Sequence, residues 1–371
     1  MHRHFRMFTA LVSLSLLLGG NVFATDRTRL MDFDGDGATD IAVYDAAPWA
    51  FPERQTYFRY RSSSTGQFAV VQWGQTLDSS CVADYDGDGK ADPSIHRWVD
   101  VYFPATIFNS WWINGSTLGP YVRNFGPVGR YDFDVLSGDY DNDGKAEPAF
   151  THVTCDPGDP DDPEDNYCQY LYTYAQPPND ESFTSQIIGY SVGSTSYGGS
   201  GVPAPGDYDG DGVSDIAVYD RQAQKFKVYA RPYTTLAENI QRELTLDVDL
   251  PAPGDFNGDG RTDFVGVKNF QSQTLQPLIW KVRYNFRNGF VVGFDLAWGM
   301  SNEFPVPGDY DGDGKTDLAV YNKQTSTWTI RRSSDLQTWT VVLGDSNDTP
   351  VTFPTQNPRC FNPSPGGQCV Y

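Results

Sequence analysis

The sequence predicts an all-β chain organised as a six-bladed β-propeller, and three observations predict it. A nine-residue acidic loop occurs six times. The copies start 52, 55, 68, 48 and 54 residues apart, and each runs into a short segment that is mostly β-branched or aromatic. A period near 50 matches one four-stranded blade. Seven blades, with one unit degenerate, is the alternative. Composition agrees: 36 Gly, 25 Pro and 15% aromatics, without sustained helical periodicity, suit many short strands joined by turns.

The clearest copy is DYDGDGKTD, Asp309 to Asp317, followed at once by LAVY. Carboxylates fall at loop positions 1, 3, 5 and 9, on Asp309, Asp311, Asp313 and Asp317, and Lys315 at position 7 offers its backbone carbonyl. Gly312 and Gly314 allow a turn tight enough to aim these oxygens at one point. A hard divalent cation takes six to eight oxygens at about 2.3–2.6 Å, and calcium accepts this flexible geometry better than magnesium. The first two copies offer Asp32, Asp34, Asp36, Ala38 and Asp40, then Asp84, Asp86, Asp88, Lys90 and Asp92. The third and fourth offer Asp139, Asp141, Asp143, Lys145 and Glu147, then Asp207, Asp209, Asp211, Val213 and Asp215. The fifth offers Asp255, Asn257, Asp259, Arg261 and Asp263.

Up to six calcium ions are therefore expected. At an effective dielectric near 20, two carboxylates 4 Å apart repel by about 4 kcal/mol, so a compact loop needs its cation and metal binding becomes part of folding. Asn257 leaves the fifth loop one charge short, which predicts the weakest site. Six near-equivalent sites cannot all be one active centre, so the ions are expected to be structural.

An EF-hand or dockerin loop needs an acidic residue at position 12 on an exiting helix. Here position 12 is Val43, Ile95, Phe150, Val218, Gly266 and Val320. The nine-residue period of calcium-binding parallel β-helices is also absent. The D-x-D-G-D-G-x-x-D loop plus strand, repeated at this spacing, resembles the FG-GAP or VCBS-type repeat. The resemblance runs from about Asp26 to Pro354 and implies the calcium-binding propeller of integrin α-subunit heads and many secreted bacterial proteins. It is specific for fold and metal and poor for function, because such folds host adhesins, lectins and some lyases. Asn257, Glu147 and Asn142 depart from the pattern.

Taken in order, residues 1–24 read as a secretory signal. Arg3 and Arg6 precede a mainly apolar run, and cleavage is expected after Ala24. Residues 25–354 form the propeller and residues 355–371 a tail. Each unit reads as a short strand, the loop, then three strands, as in LAVY, TWTIRRSS and TWTVVLG of the sixth. Alternation places Trp328 and Ile330, or Phe68 and Val70, on the face packed between blades. Trp112, Phe226 and Trp280 are likewise expected in the core. The segment TPVTFP, Thr349 to Pro354, echoes the strand before the sixth loop and is expected to close the ring on the first blade.

Five Cys in an exported chain suggest two bridges. The economical pairs are Cys155–Cys168, bracketing an acidic insertion, and Cys360–Cys369 in the tail, while Cys81 sits at a strand position as a buried small hydrophobe. The net charge of −21 deepens by two when Arg3 and Arg6 leave with the signal, and six divalent ions would offset twelve of it. Nucleic acid is disfavoured as a partner on charge, and no membrane insertion is expected.

In a four-stranded blade the 1–2 and 3–4 turns share one face and the other connections share the opposite one. The acidic loops are 1–2 connections. The segments 45–55, 97–110, 152–167, 189–203 and 269–278 are read as irregular connections on the opposite face, which takes ligand in the integrin-like propellers this chain resembles. They carry Trp49, Arg54, Trp98, Tyr102 and Tyr197 as candidate ligand contacts. The expected function is a secreted, non-catalytic recognition or adhesion module for carbohydrate or an extracellular protein. Two alternatives stay open: a polysaccharide lyase or hydrolase using His96 with Arg97, Asp100 or Tyr102, and a self-assembling scaffold. No catalytic motif, P-loop or dinucleotide fingerprint occurs.

Overall fold

The computed structural model describes residues 31–45, 54–76, 78–102, 105–127, 134–156, 167–176, 182–192, 195–197, 201–229 and 240–351. The expected signal peptide, Trp49, Cys360 and Cys369 lie outside these residues. No helix among them is long and apolar enough to cross a membrane.

Six antiparallel sheets form six blades. The first is built on β1 (Ile41–Asp45), β2 (Gln55–Arg61) and β3 (Phe68–Gln75). The second holds β4 (Ser79–Ser80), β5 (Ser94–Tyr102), β6 (Ala105–Gly115) and β7 (Gly119–Pro127). The third holds β8 (Val135–Gly138), β9 (Glu147–Asp156), β10 (Tyr167–Gln176) and β11 (Ser182–Val192), with β12 (Thr195–Tyr197) as a fifth strand. The fourth holds β13 (Gly201–Pro203), β14 (Ala217–Asp220), β15 (Lys225–Tyr229) and β16 (Ile240–Thr245). The fifth holds β17 (Leu250–Pro251), β18 (Phe264–Lys268), β19 (Pro277–Asn285) and β20 (Val291–Met300). The sixth holds β21 (Phe304–Pro305), β22 (Leu318–Asn322), β23 (Thr327–Arg331) and β24 (Thr338–Val342). The last strand, β25 (Asp348–Pro350), returns to pair with β1, Val43 opposite Pro350 and Asp45 opposite Asp348. The C-terminal end thus supplies the inner strand of the first blade and closes the ring.

Burial explains why the strands read as they do. The strand after each loop is packed on both faces, so IAVY, AVYD and LAVY are continuous apolar runs rather than alternating ones. The next strand alternates, with Trp328 and Ile330, or Phe226 and Val228, buried. The outermost strand meets solvent along one side. There the alternation misleads: Phe68 and Val70 are 61% and 63% exposed, while Val71 and Trp73 pack against the core. An outer strand with apolar residues on both sides leaves its register open in sequence, and a slip by one exchanges the faces. Likewise Trp111, not Trp112, fills the interior of the second blade, and Trp112 packs partly buried toward the first.

Each blade boundary carries its own apolar cluster, including Ile41 and Val43 against Trp328 and Ile330 where the sixth blade meets the first. Leu136 and Tyr172 meet Val218 between the third and fourth blades, and Trp280 meets Val320 between the fifth and sixth. Cys81 is buried and free, in the cluster with Trp111 and Phe150. Burial pushes its thiol far above the ordinary range, as suits a small core residue.

The boundaries also share a backbone ring. The N–H of position 8 in each acidic loop donates to the carbonyl of position 1 in the preceding blade: Thr39 to Asp309, Ala91 to Asp32, Ala146 to Asp84, Ser214 to Asp139, Thr262 to Asp207 and Thr316 to Asp255, all at 2.6–2.7 Å. The six bonds form a closed circle. Side-chain size is matched across each of them. Where position 8 is Thr or Ser, the residue before the preceding loop is Gly: Gly308 faces Thr39, Gly138 faces Ser214, Gly206 faces Thr262 and Gly254 faces Thr316. Where position 8 is Ala, as in Ala91 and Ala146, the neighbour grows to Met31 or Ala83.

Candidate metal centres

Every acidic loop has the same internal wiring. In the first, the N–H groups of Gly35 and Gly37 donate to the Asp32 carboxylate at 2.6 and 2.7 Å, and Phe33 N–H donates to Asp40 at 2.8 Å. The sixth repeats it, with Gly312 and Gly314 on Asp309 and Tyr310 on Asp317. Position 4 needs a positive φ, 82° at Gly35, and in most loops the next blade's position 7 lies over it: the Lys90 stem covers Gly35 and Lys145 covers Gly87. Asn142 takes this position in the third loop at φ 70°, a left-handed conformation that Asn tolerates best among residues with a side chain.

The 3–4 turn of the blade folds over the loop, so both turns share a face as expected. Ser62 and Ser64 hydroxyls donate to Asp34 at 2.5 and 2.7 Å, and Ser63 N–H donates to Asp40 at 2.6 Å. Ser116 and Thr117 do the same for Asp88, as do Ser333 for Asp313 and Ser334 for Asp311.

These contacts gather three carboxylates within 4.8 Å in five loops: Asp32, Asp34 and Asp36; Asp84, Asp86 and Asp92; Asp139, Asp141 and Glu147; Asp207, Asp209 and Asp215; Asp309, Asp311 and Asp317. Each set could hold a metal ion. The fifth loop forms no such set: Asn257 instead turns its amide toward Asp263, 3.4 Å away. Two further observations fit a cation. Asp86 Oδ1 and Asp311 Oδ1, equivalent position-3 atoms, are buried without a hydrogen-bond partner, an arrangement that costs free energy unless something positive sits there. The position-9 carboxylates are also strained electrostatically. Burial, reinforced by neighbouring carboxylates, pushes Asp40 up to about 6, Asp92 and Asp317 to about 7, Asp263 to about 8 and Glu147 to about 9. Burial also raises Asp34 and Asp88, but the hydroxyls of Ser62, Ser64, Ser116 and Thr117 outweigh it and hold both below the usual range.

The opposite face differs from the expectation. Residues 97–102 and 105–110 are not an irregular loop but the paired ends of β5 and β6, Tyr102 opposite Ala105. Residues 152–156 extend β9, and 195–197 form β12, where Tyr197 pairs with Tyr190. A long antiparallel hairpin satisfies its own backbone groups, which an exposed loop of that length cannot. The side chains of Trp98, Tyr102 and Tyr197 lie outside the described part of the structure. Arg54 is tied to Asp45 at 2.7 Å. His96 is 1% exposed, its ring 4.7 Å from Trp111, and Arg97 pairs with Asp78 through Nε and Nη2 at 2.8 and 2.7 Å while lying over Trp112. The sequence placed His96 near the open face; in the structure it is buried against Trp111, a neighbour in space on β6.

The FG-GAP-like repeat family matches residues 32–92 and 255–320, which include four of the six loops. No curated protein matches the chain. Among solved structures it is similar to a candidate 6-phosphogluconolactonase from Bacteroides fragilis, at 11% identity over 87% of this chain and 98% of that one, with a TM-score of 0.39. A second from Bacteroides uniformis gives 12% identity over 85% and 98%, with a TM-score of 0.40. A protein from Lactobacillus plantarum gives 11% identity over 84% and 98%, with a TM-score of 0.37.

Proposed function

The chain carries FG-GAP-like repeats in a six-bladed β-propeller, and from that premise we propose that it acts as a secreted, calcium-stabilised, non-catalytic recognition module. Calcium would be held by the five carboxylate triads, with position-7 carbonyls and water completing the oxygen shell. The ligand is carbohydrate in the first instance and an extracellular protein in the second, bound on the face opposite the loops. One observation carries this reading. The loop face is locked by the ring of hydrogen bonds and the serine-capped carboxylates, so variable chemistry is left to the extended hairpins of the other face. Burial of His96 favours binding over catalysis. Export is consistent with Cys155 standing opposite Cys168 in the β9–β10 register, where a disulfide would clamp the acidic insertion between them.

The test is a glycan array probed with the protein from Thr25 onward in millimolar calcium. A saturable hit that disappears in Trp49→Ala or Trp98→Ala supports a lectin-like role. Folded protein with no hit moves the weight to a protein ligand or to assembly through its faces. Time-dependent release of reducing or unsaturated sugar ends would overturn the non-catalytic reading in favour of a lyase or hydrolase.

A further inference from the structure

The boundary between the fourth and fifth blades departs from the others on the loop face. Three arginines line one cavity there: Arg242 on β16, Arg261 at position 7 of the fifth loop, and Arg287 in the β19–β20 turn. Two adjoining cavities of about 440 and 330 Å³ share Arg261 and Arg287 in their walls; Phe286 lines the first and Arg242 the second. In a chain of net charge −21 none of the three makes an ion pair among the described residues, whereas Arg54, Arg59, Arg97, Arg283 and Arg332 all do.

Backbone and amide oxygens hold two of them, Arg261 and Arg242, in place without neutralising them. Arg261 donates to the carbonyls of Tyr208 and Asp209, and Arg242 donates to Asn285 Oδ1 and the Phe286 carbonyl. Burial lowers the pKa of Arg242, and the charge of Arg261 beside it lowers it further, so two like charges are kept together. Arg287 is exposed at the rim. Two carboxylates also border the cavities, Asp209 and Asp259. The Asp209 carboxylate belongs to its own loop's triad, and Asp259 accepts the Arg261 N–H at 3.1 Å. The fifth loop, one carboxylate short, is also the one without a triad.

We propose that this groove binds an oxyanion, a sulfate or carboxylate group, through Arg242, Arg261 and Arg287, with Phe286 beside it to take the apolar face of whatever carries the anion. Planar guanidinium groups suit such oxygens because they donate two parallel hydrogen bonds. The site is separate from the face assigned to carbohydrate or protein above and stands without it. The anion is either a free ion or a substituent on an acidic polysaccharide.

The experiment titrates the calcium-loaded protein, at low ionic strength, with inorganic sulfate, dextran sulfate, polygalacturonate and uncharged dextran. Saturable binding of at least one anionic probe is expected, with none to dextran. Arg287→Gln, at an exposed turn, should weaken it about tenfold, the loss of one charge-assisted interaction. Arg283→Gln, whose side chain is already paired with Asp295, should leave it unchanged. Equal affinity per sulfate for the free ion and the polymer identifies a free-anion site. Preference for dextran sulfate or polygalacturonate identifies a polysaccharide substituent. Absence of binding to every anionic probe, or binding that Arg287→Gln does not weaken, overturns the proposal.

Discussion

On the loop face, all six 1–2 connections carry the same nine-residue acidic loop, and each hands a hydrogen bond to its neighbour around the ring. On the opposite face, the connection between β5 and β6 is two residues and that between β9 and β10 is ten. The strands that reach this second face are nine to eleven residues long in blades two and three and as short as four or five in blades four and six. The contrast has a physical cause. A loop whose backbone must close a circle and whose carboxylates must converge cannot gain a residue without breaking both. A hairpin tip that touches neither can lengthen at the cost of loop entropy alone, which grows slowly with length.

The largest way to break the contrast is to remove the cations. Excess chelator should lower the melting temperature on the order of 10 °C, because each of the proposed ions would contribute stability by binding the folded state only. Scanning calorimetry in chelator and in millimolar calcium measures it, and superimposable curves would refute the role of the loops. The same protein should also show an inverted pH response. Asp40, Asp92, Asp317 and Asp263 have folded pKa values of about 6, 7, 7 and 8, above their unfolded range. The metal-free native state therefore binds more protons than the unfolded chain between about pH 4 and 8, and it loses stability as pH rises through that window. Calcium should displace those protons, so binding at pH 6 releases acid that a pH electrode in weak buffer records. Stability in chelator that increases from pH 5 to 8 would count against the buried carboxylates.

A smaller effect tests the ring itself. A Cβ on Gly308 would lie 2.8 Å from Thr39 Cγ2, at the seam where the last blade meets the first. Gly308→Ala should cost about 1–3 kcal/mol by overpacking. Thr39→Ala should recover part of that loss, since Ala83 faces Ala146 without conflict at another boundary. Urea denaturation of both single variants and the double variant measures the coupling. Additive losses would show that the size match across the seam has no energetic content.

The smallest change sharpens the comparison between loops. Asn257→Asp should create a sixth triad and raise the calcium count from five to six by native mass spectrometry, with only a modest rise in melting temperature. An unchanged count would mean that Asn257 is not what separates the fifth loop from the others.

Much of the loop face was legible in the chain because its determinants are local. Asp309 and Asp317 are eight residues apart, Gly312 and Gly314 shape the turn between them, and one loop's chemistry can be read without knowing its neighbours. Blade number followed from counting copies, and ring closure from the echo at Thr349 to Pro354, now seen as β25 on β1. Tertiary structure decided whatever depends on a partner from another strand or another blade. It set which side of β3 faces out, so Phe68 and Val70 are exposed. It buried His96 against Trp111, and it made Trp111 rather than Trp112 the interior ring. It brought Arg242, Arg261 and Arg287 to one groove from three segments with no common motif. Local pattern encodes the hydrogen bonds a loop makes with itself; burial and charge pairing are sums over neighbours, and in a propeller those neighbours come from other strands of the blade and from the next blade.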